Sequence, residues 1–529
     1  MQVSKYLRHL LILVIAMISL FSLPEVVQAK QTNSKRVLLV YDSQNKAHDQ
    51  QTKIAAVQRI LTSLQINVRT EAAVDYQAGQ LAHYQGVITL INWPQLKITN
   101  ADFLRERQNF TGTQLHIGPN LTAEEAVGLH ATLQNIYQQQ LILTGENDKL
   151  QQLLPFQTSM VALTNLPANA HTIGHLKAQS SVLTQYPYGT IVGDRGYLPY
   201  FKTGGYSLML ATKTIADLFA GQTEDSAHQP LLTITKVTPY SNLKLLDHLS
   251  QRLYDRGIPF AISTTTVEGN SKFHAFQRFA KVLRQIENRG GVIFLKAPVV
   301  GGVTASSGPE LNGIMDSYII QLAQNQVYPV GISASAYWNQ DKVYRENALK
   351  KADQMLLLPD PDTVKYAKQD NRAMTFKNSF YGISAASFNT VNSGERLSLS
   401  APSFAIPTAL TFTMPNSQNS LNDLERRIER MNYHWLDPVA NMPATTINSG
   451  TAAISYRAGT YFLNGRAQQI TEQPPKTRTL KAVKPREIWA NKFFKTQGTV
   501  LMFFFVVTFV IFSLLLFVGR QLYLKMFKH

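Results

Sequence analysis

The chain has 529 residues, a formal charge of +17 and no cysteine. The lack of cysteine excludes disulfides, a thiol nucleophile and a thiolate metal site. The charge calls for an anionic partner. Because no Arg/Lys cluster is interleaved with stacking aromatics, anionic lipid or envelope polymer is expected and nucleic acid is not.

At the N-terminus, Lys5 and Arg8 precede an apolar stretch at 10–21, followed by Pro24 and Val27-Gln28-Ala29. This is the layout of a secretory signal peptide, here 1–29, with cleavage expected after Ala29. An uncleaved N-terminal anchor is the alternative, and both export the middle of the chain. Residues 35–150 then read as a parallel α/β domain. Strands are expected at 37–41, 66–68, 86–91 and 115–117, with a helix carrying Ile54, Val57, Ile60, Leu61 and Leu64. Asp42 and Ser43 follow the first strand, where ligands of such sheets bind. No glycine-rich phosphate loop follows, so a turn or cap role fits Asp42 better.

Gln-rich residues 133–152 read as helix from propensity. Residues 151–225 read as a β-rich insert broken by Pro and Gly and closed by a helix at 208–219. His171 and His175 have the spacing of two metal ligands on a helical turn. Their segment has no helical apolar stripe, so two exposed loop histidines are expected.

A second βα pattern begins at Leu231 and runs to about 440. Strands are expected at 231–237, 259–263, 292–295, 328–332 and 355–358. The helix with Leu243, Leu246, Leu249 and Leu253 ends at Gly257. The next holds Phe273, Phe276, Ala280, Leu283 and Ile286, and a third spans 309–325. Ser420 with Asp423 resembles a capping box, and a short strand is expected to reach Trp435. Repeated βα units suggest a barrel. Residues 441–472 read as a β tail with a hairpin at 451–456 and 459–463. A basic, Pro-containing stalk follows at 473–498.

Residues 499–518 (TVLMFFFVVTFVIFSLLLFV) carry no charge. At about 1.5 Å per residue, such a helix spans a hydrocarbon core of about 30 Å. Arg520, Lys525 and Lys528 lie in the tail at 519–529, which the positive-inside rule places in the cytoplasm. The basic stalk on the other side conflicts with that rule, and the signal peptide is expected to override it. The expected location is therefore the plasma membrane, single-pass, with the bulk of the chain extracellular.

The phrases LLTITKVTP at 231–239, RGIPFAIS at 256–263, RGGVIFLKAP at 289–298, YPVGISASAYW at 328–338 and FTMPNSQNSLNDLERRIERMNYHWLD at 412–437 carry a resemblance. Over about 35–440 their order resembles the polysaccharide-deacetylase superfamily. It is most similar to the YdaL-type deacetylase-like membrane proteins of Gram-positive exopolysaccharide clusters. The resemblance implies a flavodoxin-like or amidotransferase-like parallel-sheet domain followed by a distorted (β/α) barrel.

The departures from the family pattern bear directly on chemistry. The resemblance places a metal-binding aspartate at Lys236 and a histidine at Lys296, with a second histidine at Val300. Its later His-Tyr phrase falls on Ala336-Tyr337, and its His-Pro phrase on Met414-Pro415. Deacetylation uses a divalent ion, held by carboxylate and imidazole, to polarise the carbonyl and acidify a water. Ammonium groups repel such an ion. They either fill its place or bind an anionic sugar or phosphate; snorkelling to solvent is the plainer alternative. No metal or cofactor is therefore expected.

Asp360 and Asp362 in LLLPDPDT follow a strand. They are the best carboxylates for a non-standard hydrolase site, although two acids flanking a proline more often make a turn. Tyr240, Tyr337 and Trp338 are candidate sugar contacts beside Lys236 and Lys296. The expected protein is an extracytoplasmic, catalytically degenerate deacetylase-like component of exopolysaccharide or cell-envelope polysaccharide production. Its expected partners are that polymer, the membrane and a membrane glycosyltransferase complex. An active carbohydrate deacetylase or glycoside hydrolase using a non-standard site is the alternative.

Overall fold

The computed structural model describes residues 35–42, 50–95, 97–145, 150–178, 185–221, 227–267, 271–299, 305–361, 364–388, 392–393, 404–431, 433–470 and 489–526. The signal peptide, Ser43, Val300, Asp362 and stalk residues 473–488 lie outside them.

The first part is wound as its rhythm predicts: β1 (Arg36–Tyr41), α1 (Gln50–Ser63), β2 (Asn67–Ala72), β3 (Gly86–Leu90), α2 (Ala101–Gln108), β4 (Thr113–Ile117) and α3 (Ala123–Gly128). β2, β1, β3 and β4 are neighbours in that order and all parallel. β1 is buried from Val37 to Val40, as a strand covered on both faces must be.

The Gln-rich segment is not helical. It forms β5 (Thr132–Gln139), β6 (Leu141–Thr144) and β7 (Leu150–Leu153). Glutamine favours helices only weakly, and strand pairing overrides that preference here. β5 forms a two-stranded ribbon with β8 (Gln157–Thr164). β9 (His171–Ala178), β10 (Gln185–Val192) and β11 (Arg195–Leu198) continue the first sheet, with β11 parallel to β4.

Helix α4 (Gly205–Ala220) is buried along nearly its whole length, as suits a helix covered on two sides. Its Phe219 packs on Gly86 of β3, where a Cβ would meet the ring at 2.7 Å.

The second part contains β12 (Leu231–Val237), α5 (Leu243–Asp255), β13 (Ala261–Thr264), α6 (His274–Asn288), β14 (Val292–Lys296), α7 (Gly308–Gln324), β15 (Gly331–Ser335), α8 (Lys342–Asn347), β16 (Gln354–Leu358), β17 (Asn378–Ser384), β18 (Asn392–Ser393), β19 (Thr408–Thr413) and α9 (Gln418–Met431). β12 to β17 and β19 close into a parallel barrel of seven strands, while β18 pairs with β7 of the first sheet. Asn242 caps α5 through Leu245 N, as its position suggests.

Three local expectations shift. Helix α9 starts earlier, and Ser417 and Ser420 exchange backbone-to-hydroxyl bonds of 3.0 and 3.2 Å in place of a Ser420–Asp423 box. The stretch reaching Trp435 is not a strand. Finally, the strand expected at 328–332 runs from Gly331 to Ser335, beyond Pro329, which has no N–H to donate.

Among the described residues, no helix follows β16, and β17 is followed only by a short 3₁₀ turn at Ala385–Phe388. The first part supplies the missing cover. Arg59 of α1 donates to the Gly382 carbonyl at 2.9 Å, with its guanidinium 4.4 Å from the Tyr381 ring centre. Met209 and Thr212 of α4 line a small void with Tyr381, Ile383 and Thr408. Val68 and Thr70 of β2 bond Ala373 and Asn371 at 3.1 and 3.0 Å. One hydrophobic core accordingly runs from β1 through the barrel.

A short helix, α10 (Pro438–Asn441), leads to an antiparallel sheet of β20 (Thr445–Asn448), β21 (Ala453–Arg457), β22 (Thr460–Leu463) and β23 (Arg466–Gln468). The expected hairpin is its centre. It meets the barrel side through an Ile447–Ala352 bridge and a Tyr461–Tyr328 ring contact.

The last helix, α11 (Trp489–Met526), begins within the predicted stalk. Its Val500–Tyr523 portion is long and apolar enough to cross a membrane.

Candidate functional site at the barrel mouth

All seven barrel strands run parallel, so their C-terminal ends share one mouth, the end where such barrels carry their sites. Inside the barrel, Ser263 of β13 and Ser333 of β15 meet hydroxyl to hydroxyl at 2.8 Å across β14. They therefore point inward. Lys296 pairs with Ser333 in register and so shares that inward face at the end of β14.

On β12 the register shifts between Ile234 and Val237, and Lys236 takes φ +61°. This left-handed conformation is unfavourable for a side chain with a Cβ. The bulge turns Lys236 out at the mouth, where it is exposed. Val237 pairs with Thr264 and Thr264 with Leu295, which puts the two lysines two strands apart, one just before and one just after the same register row. With neighbouring strands about 4.8 Å apart and a rise of about 3.3 Å per residue, their backbones stand roughly 12 Å from each other, within joint reach of two extended lysines. Lys296 is partly buried. Burial first, and the Lys236 charge second, push its ammonium pKa down. Among the described residues, neither lysine has an ion pair.

Between them, in the loop after β13, Thr266 is 2 % exposed and its hydroxyl has no hydrogen-bond partner among the described residues. Around them, Tyr240, Phe273 and Val299 are 80, 63 and 73 % exposed, one on each of the loops after β12, β13 and β14. Phe273 was expected inside the following helix. It is the N-cap residue of α6 and points to solvent.

Among the described residues, the aromatic side chains of the opposite half of the mouth are buried. Trp338 is 1 % exposed and stacks on Tyr344 with ring centres 4.3 Å apart. It is a core residue with no face left for a sugar. Tyr337 is also buried, edge-on to Trp338 and Tyr366. Asp360 Oδ1 accepts from Tyr337 N at 2.9 Å, while its Oδ2 is out of solvent and unpartnered. Burial raises the Asp360 pKa, and Arg59 and the backbone N–H groups of Tyr337 and Ala336 pull it back. The carboxyl fastens the turn after β15 through Oδ1 and keeps Oδ2 out of solvent.

Other polar groups serve the framework. Asp42 accepts from Asn92 N and Trp93 N at 3.1 and 2.9 Å, tying the end of β1 to the loop after β3. His171 and His175 lie on strand β9, not in a loop, and His171 bonds Asp217 at 3.2 Å. Partly buried Glu125 closes a capping box with Thr122 and bonds both His116 and Arg107 at 2.9 Å. Those partners outweigh its desolvation and hold its pKa down at about 2. Sequence reading missed this triad, as it missed Thr266. Their spacing is irregular, and only the fold joins them.

Among the described residues, no group of three or more His, Asp or Glu side chains is placed to hold a metal ion. At the mouth, Lys236, Lys296, Ala336 and Met414 do not fit a divalent cation, because two are cationic and two offer no hard donor.

No family model matches the sequence, and no curated protein sequence matches it. Among solved structures, the chain is similar to Agd3, a carbohydrate deacetylase. That match covers 84 % of this chain and 98 % of the other, with TM-score 0.32 and 8 % identity. A ThuA-like protein from Parabacteroides merdae ATCC 43184 is matched over 37 % of this chain and 93 % of its own, with TM-score 0.25 and 11 % identity. Likenesses at these scores assign neither activity nor ligand.

Proposed function

We propose that this chain is a membrane-anchored, extracytoplasmic, deacetylase-like protein that binds a glycan at its barrel mouth without metal-dependent hydrolysis. It would act as a binding or scaffolding component in cell-envelope or exopolysaccharide production. The observation that carries the reading is the lysine pair. At the two strand ends where the family resemblance calls for metal ligands, this chain sets ammonium groups, and Tyr240 is exposed on the loop after β12. Ammonium donors and an exposed aromatic face are the means by which proteins hold sugars in water. An apolar helix of membrane-spanning length is consistent with a component retained where polymer emerges.

The test uses full-length protein purified in detergent. Metal content and acetate release from acetylated oligosaccharides are measured together with oligosaccharide binding. Binding without stoichiometric metal or acetate release is expected. Stoichiometric zinc or manganese with acetate release would sink the proposal.

A further inference from the structure

On the reading of the mouth as a glycan site, we infer that Lys236, Thr266 and Lys296 form an oxyanion site that takes a carboxylate or phosphate group carried by the saccharide. Three independent features converge on it. The two lysines lie at the C-terminal ends of the strands that flank β13, on either side of one register row, and neither has an acidic partner among the described residues. Lys236 holds its place through a left-handed bulge, so the backbone there is committed to presenting this residue at the mouth. Thr266, on the loop after the intervening β13, carries a buried hydroxyl with no hydrogen-bond partner among the described residues. A buried polar group without a partner is costly, and an oxygen acceptor brought by a ligand satisfies it.

The chemistry selects an oxyanion over a neutral hydroxyl. Two ammonium groups within reach of one another repel, and the half-buried position of Lys296 intensifies that repulsion. A carboxylate or phosphate bridging them removes the repulsion and accepts from both, with the threonine hydroxyl as a third donor. A neutral sugar hydroxyl leaves it in place. Tyr240, Phe273 and Val299 are exposed on the loops after β12, β13 and β14. They offer apolar and aromatic faces to the sugar ring that bears the charge.

The experiment compares four ligands on full-length protein in detergent, at low and high salt. They are a uronic-acid oligosaccharide, its carboxyl-reduced neutral counterpart, a sugar-phosphate oligomer and inorganic phosphate. The wild-type chain is expected to bind the uronate or the sugar phosphate at least about tenfold tighter than the reduced oligomer. The preference should shrink in salt and vanish in Lys236→Gln/Lys296→Gln, while Lys236→Arg keeps it. Which anionic ligand wins identifies the group as carboxylate or phosphate. Unchanged melting temperatures, and retained binding of the neutral oligomer, show that the glutamine variants fold.

Equal binding of charged and neutral oligomers overturns the oxyanion site and leaves the glycan reading intact. An anionic preference that survives the double substitution also overturns it. If no oligosaccharide binds but inorganic phosphate raises the wild-type melting temperature and not that of the double variant, the oxyanion site stands and the glycan reading falls.

Discussion

Arg59 offers the sharpest test of how the two parts of the chain are joined. It lies on α1, is 8 % exposed, donates to Gly382 O at 2.9 Å and covers the Tyr381 ring at 4.4 Å. Its charge also lowers the otherwise raised pKa of Asp360. Arg59→Met keeps much of the volume and removes all three interactions. The charged hydrogen bond is worth about 1.5–3 kcal/mol and the ring contact about 1 kcal/mol. Against them, Nε of Arg59 is buried without a partner, so the variant also sheds a desolvation penalty. The net expected loss is about 3 kcal/mol, read as a lowered urea midpoint with an unchanged slope by fluorescence of buried Trp338. The decisive measurement is the cycle with Asp360→Asn. Each single change strands one buried charge and the double change strands none, so the double variant should lose about 1–2 kcal/mol less than the sum. Additive losses would refute the coupling.

Four further outcomes are expected. Lys236→Asn should raise stability by up to about 1 kcal/mol, because asparagine tolerates φ +61°, while weakening anion binding; a fall in thermal midpoint counts against the bulge argument. Glu125 has a folded pKa of about 2, below its unfolded value, so its stabilisation is present above the usual carboxylate range and lost as pH falls through about 2. Glu125→Gln should flatten acid unfolding in that window, on the order of 3 kcal/mol for a shift of this size. Glu287 is fully buried with one oxygen unpartnered and its pKa raised, so the folded state loses stability as pH rises from the unfolded carboxylate range through its folded pKa. Glu287→Gln should gain relative stability towards neutral pH, seen in paired melts across pH. Finally, residues 228–470 expressed alone should be insoluble and recover when residues 35–225 are co-expressed, since α1 and α4 cover Tyr381 and Ile383; a soluble, cooperatively melting fragment would contradict that dependence.

Much of this architecture was readable where local and tertiary signals agree. The apolar runs at β1, β3, β12 and β14 announce themselves because parallel strands are buried on both faces. β17 escaped notice for a physical reason. It begins with Asn378-Ser379, and its outer cover comes from helices far away in sequence, so the local strand-then-helix rhythm breaks. β5 was read as helix because its buried positions are sparse and its partner β8 lies beyond two intervening strands. At the site, Lys236 and Lys296 stood out only against a family pattern. Nothing local marks Thr266 as buried or Phe273 as exposed. Trp338 follows a strand as a mouth residue would, but the adjacent α8 supplies Tyr344 to stack on it.

The borrowed helices also explain why the candidate site occupies one side of the barrel. α1 and α4 pack over β17, and β2 bonds the chain between β16 and β17. That half of the mouth must then hold its loops still, and it does so with Tyr337, Trp338 and Tyr344 in the core and the half-buried Asp360 bonded to Tyr337 N. On the other half, β12, β13 and β14 are each followed by a helix of their own. Their loops carry no such task and leave Lys236, Tyr240, Phe273 and Val299 in solvent. Among the described residues, the exposed groups of the mouth named above therefore lie on the half that is not needed to join the two parts. A glycan bound there lies across the β12–β14 loops, and substitutions on the β15–β17 side should alter stability before they alter binding.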